Sequence, residues 1–154
     1  MIYKNALLSL IFIFSTFPAF AIDGVTGIEK YEIDKNHTNI MWYISHMGFS
    51  RTIGNFKEFV GTIDLNHDDP TKSEIYITID TSSISSGVEE LDKQLKGVQF
   101  FDVENYPQAI FESTNITLIE DDNAEVKGNF TMLGKTREIT LNVRFNKRAM
   151  DPIL

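Results

Sequence analysis

The side chains whose types could do chemistry are few. They are three histidines, His37, His46 and His67, and the adjacent acid and base Asp92-Lys93. His37 and His46 lie nine residues apart and flank an alternating apolar segment. As a metal pair they fail on reach, because nine residues of extended chain span roughly 30 Å. Two such ends share an ion only if the chain folds back, so each imidazole is expected to meet backbone or carboxylate partners at a strand end. His67 sits in the acidic turn Asn66-His67-Asp68-Asp69-Pro70 and is expected in solvent. Asp92 is expected to accept hydrogen bonds from nearby loop amides and so fix a helix over one end of the fold, in preference to acting as an acid–base pair with Lys93. Glu120-Asp121-Asp122 lacks the ligand spacing of a calcium loop and reads as a solvated turn.

Several chemistries are absent from the sequence. No Gly-x-Ser-x-Gly elbow, P-loop, Gly-rich dinucleotide motif or His-Glu-x-x-His occurs. With no cysteine, there is no disulfide staple, thiolate zinc site or Cys nucleophile. A formal net charge of −8 disfavours nucleic acid, whose phosphates call for clustered Lys and Arg. No catalytic residue, metal site or cofactor is assigned on these grounds. The 154 residues suit one domain.

Residues 1–21, MIYKNALLSLIFIFSTFPAFA, read as a secretion signal. Lys4 opens it, an apolar stretch runs from Ala6 to Phe17, and Ala19-Phe20-Ala21 fits a small-x-small cleavage site. The run is shorter than the roughly 20 residues that a membrane span requires. The expectation is cleavage near Ala21, a domain over residues 22–154 with no transmembrane segment, and export to the periplasm or the outside. Without disulfides, its stability must come from the core.

The elements that position these side chains are mostly strands. Period-2 alternation marks Tyr31–Asp34, Thr38–His46, Phe59–Leu65 and Ser73–Asp80. Gly48 to Gly54 reads as a turn region. A strand starts at Ala109–Ser113 and is continued or paired through Ile116–Ile119. Glu125–Met132 and Glu138–Phe145 form a hairpin around Leu133-Gly134-Lys135. Val88–Lys96 alone has the helical period, ended by Gly97. Seven or eight strands with turns between them predict an all-β sandwich or barrel with one short helix.

The alternation also sorts the faces. Ile40, Trp42, Ile44 and His46 share one side of their strand, as do Ile75, Ile77 and Ile79 on another. With Phe59, Ile63, Phe111, Phe130, Ile139, Leu141 and Val143 they face an interior. Alternation alone does not decide whether those side chains pack on one another or line a hollow.

An ordered set of residues adds to this reading. Tyr31-x-Ile33-Asp34-x-x-His37-Thr38-x-Ile40-x-Trp42-x-Ile44-x-His46-x-Gly48 is followed by Gly54-x-Phe56. Leu91-Asp92-Lys93-x-Leu95, Phe100-Phe101-Asp102-Val103-x-x-Tyr106-Pro107, Phe111-x-Ser113 and Gly128-Asn129-Phe130-Thr131-x-x-Gly134 come later. From about Tyr31 to Phe145 the chain resembles the YceI-like family of polyisoprenoid-binding, lipocalin-like proteins. Gln94 stands where the family often has histidine, and Thr38 where serine is usual.

The resemblance implies an antiparallel eight-stranded lipocalin-like barrel and an exported protein that is not an enzyme. Its ligand would be a long apolar lipid, of polyisoprenoid or isoprenoid-quinone type, held along the residues just named as inward-facing. Family members generally carry further strands beyond the position of Phe145, so closure of the barrel within Asp151-Pro152-Ile153-Leu154 stays open. A charged head group would sit at a barrel mouth, with Arg51 and Lys57 as its partners. A homodimer stays open as well. The other readings are an enzyme acting on such a lipid and a ligand-free stress-response or interaction barrel.

Overall fold

The computed structural model describes residues 25–120 and 122–148. The expected signal segment, residues 1–21, and the final residues 149–154 lie outside them. Nine strands and one helix follow in order: β1 (Ile28–Glu32), β2 (Ile40–His46), β3 (Ser50–Phe56), β4 (Phe59–Asn66), β5 (Glu74–Asp80), β6 (Ile84–Ser85), α1 (Glu89–Lys96), β7 (Gln108–Leu118), β8 (Asn123–Met132) and β9 (Lys135–Arg144).

The strands form two antiparallel sheets. One has six strands in the order β1-β4-β5-β7-β8-β9; the other has three, β2-β3-β6. Among the described residues no ladder joins the sheets: nine strands in two sheets stand where the resemblance implies eight in one barrel. β9 ends the large sheet and β2 ends the small one, each with one backbone edge unpaired in the ladders. The all-β architecture and the single short helix hold.

Two segments depart from the sequence reading for identifiable reasons. Ser50–Phe56 is a strand where a turn region was expected; the turn is confined to Met47-Gly48-Phe49 between His46 and Ser50. Ser50, Arg51, Thr52, Gly54 and Asn55 carry almost no apolar signal, and pairing with the apolar β2 holds the segment extended. Gln108–Leu118 is one continuous strand, with a register shift between Ser113 and Asn115. The extra residue moves the inward phase from Ala109 and Phe111 to Ile116, all three buried, so the strand reads in sequence like two. The β8–β9 hairpin closes as expected, with Leu133 at φ 53° and Gly134 at φ 66° between Met132 and Lys135.

Burial follows the alternation. Phe59, Ile79, Phe111 and Val126 are buried, while Met41, Tyr43, Val60 and Tyr76 point outward into solvent. Ile40 and Trp42 of the small sheet pack against a cluster of Phe56, Phe59, Ile79, Ile84 and Ala109, which ties the two sheets face to face.

Candidate functional site

The feature that could hold a ligand is the inner apolar face. It consists of two clusters. One is centred on Phe56, Phe59, Ile79, Ile84 and Ala109, the other on Phe111, Ile116 and Val126. Ile77 and Phe130 pack against both, so the two clusters are linked by shared apolar side chains. Ile75, Ile139, Leu141 and Val143 flank the second cluster and are half-buried. Ile63 is half-buried on β4.

The small sheet supplies a graded entry to this face. Along β2, Ile40 and Trp42 are half-buried, but Ile44 is 60% exposed and His46 is exposed. The inner face of β2 thus emerges into solvent toward the β2–β3 turn. The Trp42 indole lies on Gly54 of β3, directly opposite it in register. Trp42 Nε1 is buried and has no hydrogen-bond partner among the described residues, a donor on the apolar side of the wall.

The opposite end carries a lid. Leu95 of α1 and Phe101 after it pack on the first cluster, and the Phe101 ring meets Phe56 edge-on at 5.7 Å and 81°. Asp92 holds this helix as expected: its Oδ1 accepts from the Ser86 backbone N–H and hydroxyl, both at 2.6 Å. Those bonds draw the Asp92 carboxyl below its ordinary pKa. Thr81 anchors the far end of the lid segment, donating to the Tyr106 carbonyl at 2.7 Å.

Beside the lid lies a cleft of about 420 Å³ with Phe56 and Phe59 at its base and Lys35, Asn39, Asn55 and Lys57 among its polar lining. Lys35 pairs with Glu58 at 3.2 Å. Lys57 has no ion pair among the described residues. Arg51, named with Lys57 as a head-group partner, is at the other end of β3, where its guanidinium lies 5.1 Å from the Tyr43 ring centroid. The two cations therefore cannot share one mouth. A second cleft, about 400 Å³, opens between β5 and β7 near the bulge, among polar residues including Glu74, Glu112 and Ser113.

The histidines stay apart. His37 Nδ1 meets Asp34 Oδ2 at 2.6 Å and, as the main cause, holds the Asp34 carboxyl below its usual range. His46 ends β2, on the far side of the strand's length. His67 is not solvated: its side chain is 1% exposed and its Nε2 is 3.0 Å from Glu29 Oε2. The partner is 38 residues away, on β1, so nothing local in the acidic turn announced it. No group of three metal-ligating side chains occurs among the described residues. The expected acidic run includes Asp121, which lies outside them.

Two antiparallel sheets turning apolar faces toward each other beneath a one-helix lid define an all-β protein with an internal apolar surface. The chain belongs to the YceI-like family: residues 31–152 match the YceI-like domain. A UPF0312 protein of Pseudomonas putida is 37% identical over 131 residues, covering 84% of this chain and 68% of that protein. Protein YceI of Salmonella arizonae is 34% identical over the same shares. Among solved structures, BcnA of Burkholderia cenocepacia superposes with a TM-score of 0.72 at 26% identity, covering 76% of this chain and 73% of that one. The YceI protein of Campylobacter jejuni gives 0.64 at 25% identity, covering 80% and 72%.

Proposed function

We propose that this is an exported, non-catalytic binding protein that holds a long apolar lipid of isoprenoid type as carrier or reservoir. The observation that carries this reading is the linked apolar inner face, with Ile77 and Phe130 shared by both clusters. Each CH₂ of a tail laid on such a surface gains about 0.8 kcal/mol, so a long chain is retained without a specific polar handle. The tail contacts would be Ile40, Trp42, Ile44, Phe59, Ile63, Ile75, Ile77, Ile79, Phe111, Phe130, Ile139, Leu141 and Val143, with His46 at the open end. A charged head group, where the lipid has one, would reach Lys57 in the cleft beside the lid.

The test is native mass spectrometry of the purified chain with solvent extraction of whatever co-purifies. A bound isoprenoid released on denaturation supports the reading. Protein that carries no lipid and takes up no added farnesol overturns it.

A further inference from the structure

The β2–β3 ribbon carries an outer surface that the lipid-holding role does not use. Tyr43 and Ile53 are directly opposite in register and are 69% and 55% exposed; Met41, two residues along the same face, is 64% exposed. At the tip, Met47 and Phe49 are 83% and 88% exposed, the latter the most solvent-facing large apolar side chain among those described. Met47 and Gly48 take positive φ, 51° and 80°, and the Phe49 N–H bonds the His46 carbonyl at 2.9 Å, so the tip is a defined turn. Large apolar side chains clustered in solvent mark a surface with a partner.

Charge says which partner. The whole chain has a formal net charge of −8, yet the 23 residues 35–57 contain no Asp or Glu; Arg51 is the cation at the turn end of β3, while Lys57 and the Glu58-paired Lys35 lie at the other end. Arg51 lies over the Tyr43 ring, a cation and an amphipathic ring side by side at the foot of the apolar tip. Aromatic and aliphatic side chains at a tip, with a cation behind them and no acidic residue on the ribbon, match an anionic lipid–water interface. The rest of the acidic chain is repelled from such a surface, so the ribbon would approach it first. The tip is also where the inner face of β2 comes into the open at Ile44.

We propose that the β2–β3 ribbon is a membrane-docking surface that dips Met47 and Phe49 into an anionic bilayer and presents Ile44, and behind it Trp42, to lipid leaving that bilayer. This rests on the lipid-holding reading for its purpose but not for its test.

The test is co-sedimentation of the exported form, residues 22–154, with vesicles of phosphatidylglycerol and phosphatidylethanolamine, beside vesicles of phosphatidylcholine alone. The chain is expected to bind the anionic vesicles, less so as salt rises. Met47→Ser/Phe49→Ser should reduce that binding about tenfold or more, and Arg51→Gln should reduce it and flatten its salt dependence. Lys127→Gln, on the exposed wall of β8, should leave it unchanged. Because Met47, Phe49 and Arg51 are exposed, the variants should melt as the parent does, and uptake of farnesol supplied in solution should be retained. Equal vesicle binding by parent and tip variant overturns the proposal. So does a concentration-dependent dimer that the tip variant abolishes in a chain that ignores vesicles, which would assign the surface to a second copy. Vesicle binding through the tip by a chain that takes up no farnesol upholds the docking surface and sinks the carrier function instead.

Discussion

His67 Nε2 lies 3.0 Å from Glu29 Oε2, joining the turn after β4 to the first strand of the sheet. Glu29 is the hub of a wider knot: the Tyr31 hydroxyl donates to it at 2.5 Å and Arg148 Nη2 at 3.0 Å. Arg148 follows β9, the opposite edge of the same sheet, so the knot brings both edges of the six-stranded sheet together at one end. The Tyr31 hydrogen bond, then the one from His67, holds the Glu29 carboxyl below its ordinary value of 4.5. A carboxylate lowered on folding stabilises above its unfolded pKa and loses that contribution as pH falls through the folded value. Glu29→Gln should therefore lower the Tm at neutral pH, by an amount that stays constant down to the ordinary carboxylate range and shrinks below it. Melting curves of the two proteins from neutral to acid check this; a gap that widens in acid would contradict it.

Asp92 makes the corresponding contact at the lid. Both of its short bonds go to Ser86, so removing them should free the connection between β6 and α1 without touching the sheets. Asp92→Ala should raise amide exchange at Ser86 and through α1, while β7, β8 and β9 keep their protection. Hydrogen exchange followed by residue is the measurement. Uniform loss of protection across the sheets would mean that the lid is part of the global folding unit.

These two contacts show what the sequence could and could not disclose. Asp92 was legible, because its helix is local and the loop it caps is six residues away. The burial of His67 was not, since an acidic turn looks solvated unless the distant strand that covers it is known. Strand phase was legible in β5, β8 and β9, where apolar residues alternate with polar or amphipathic ones; in β2 both faces are apolar as far as Ile44, and the period-2 reading nonetheless put Ile40 and Trp42 inward. It failed in β3, where the partner strand and not the residues' own pattern enforces the extended backbone. It blurred in β7, where the bulge resets the period between Phe111 and Ile116. Closure of the wall was beyond reach, because alternation reports which face is inside and says nothing of which edges meet. The graded exposure from Ile40 to Ile44 and the apolar tip at Met47 and Phe49 follow from where the sheets part, which only the three-dimensional arrangement reveals.

The inward phase of β5 can be tested at neighbouring positions. Ile77 joins both apolar clusters, whereas Tyr76 faces outward and is 44% exposed. Ile77→Asp should cost about 2–4 kcal/mol, through lost burial and an unpaired charge on an apolar face, and should abolish uptake of farnesol. The control must avoid a new charge, because Tyr76 sits directly opposite Glu112. Tyr76→Thr keeps strand propensity and should cost less than about 1 kcal/mol, with uptake unchanged. Chemical denaturation and lipid titration of both variants would decide it; equal effects at the two positions would put the strand in the opposite phase.

Gly54 makes a sharper demand on the wall. A Cβ built there would stand 2.3 Å from the Trp42 ring and 2.3 Å from the Ser85 carbonyl oxygen, so both the ring and the short strand β6 are in its way. Gly128 repeats the arrangement on the other sheet, with the Phe111 ring 2.4 Å from a built Cβ. In each case the absence of a Cβ leaves room for an aromatic ring against the neighbouring strand. Gly54→Ala should cost about 1–3 kcal/mol by overpacking. Trp42 is the sole tryptophan, so the displaced indole should be visible as a shift of its emission in the folded protein. The same substitution at Gly128 should destabilise comparably while leaving that emission in place, because its clash is with Phe111. A Gly54→Ala protein with parental stability and an unmoved tryptophan signal would mean that the ring does not rest on β3, and with that the graded entry along β2 would lose its footing.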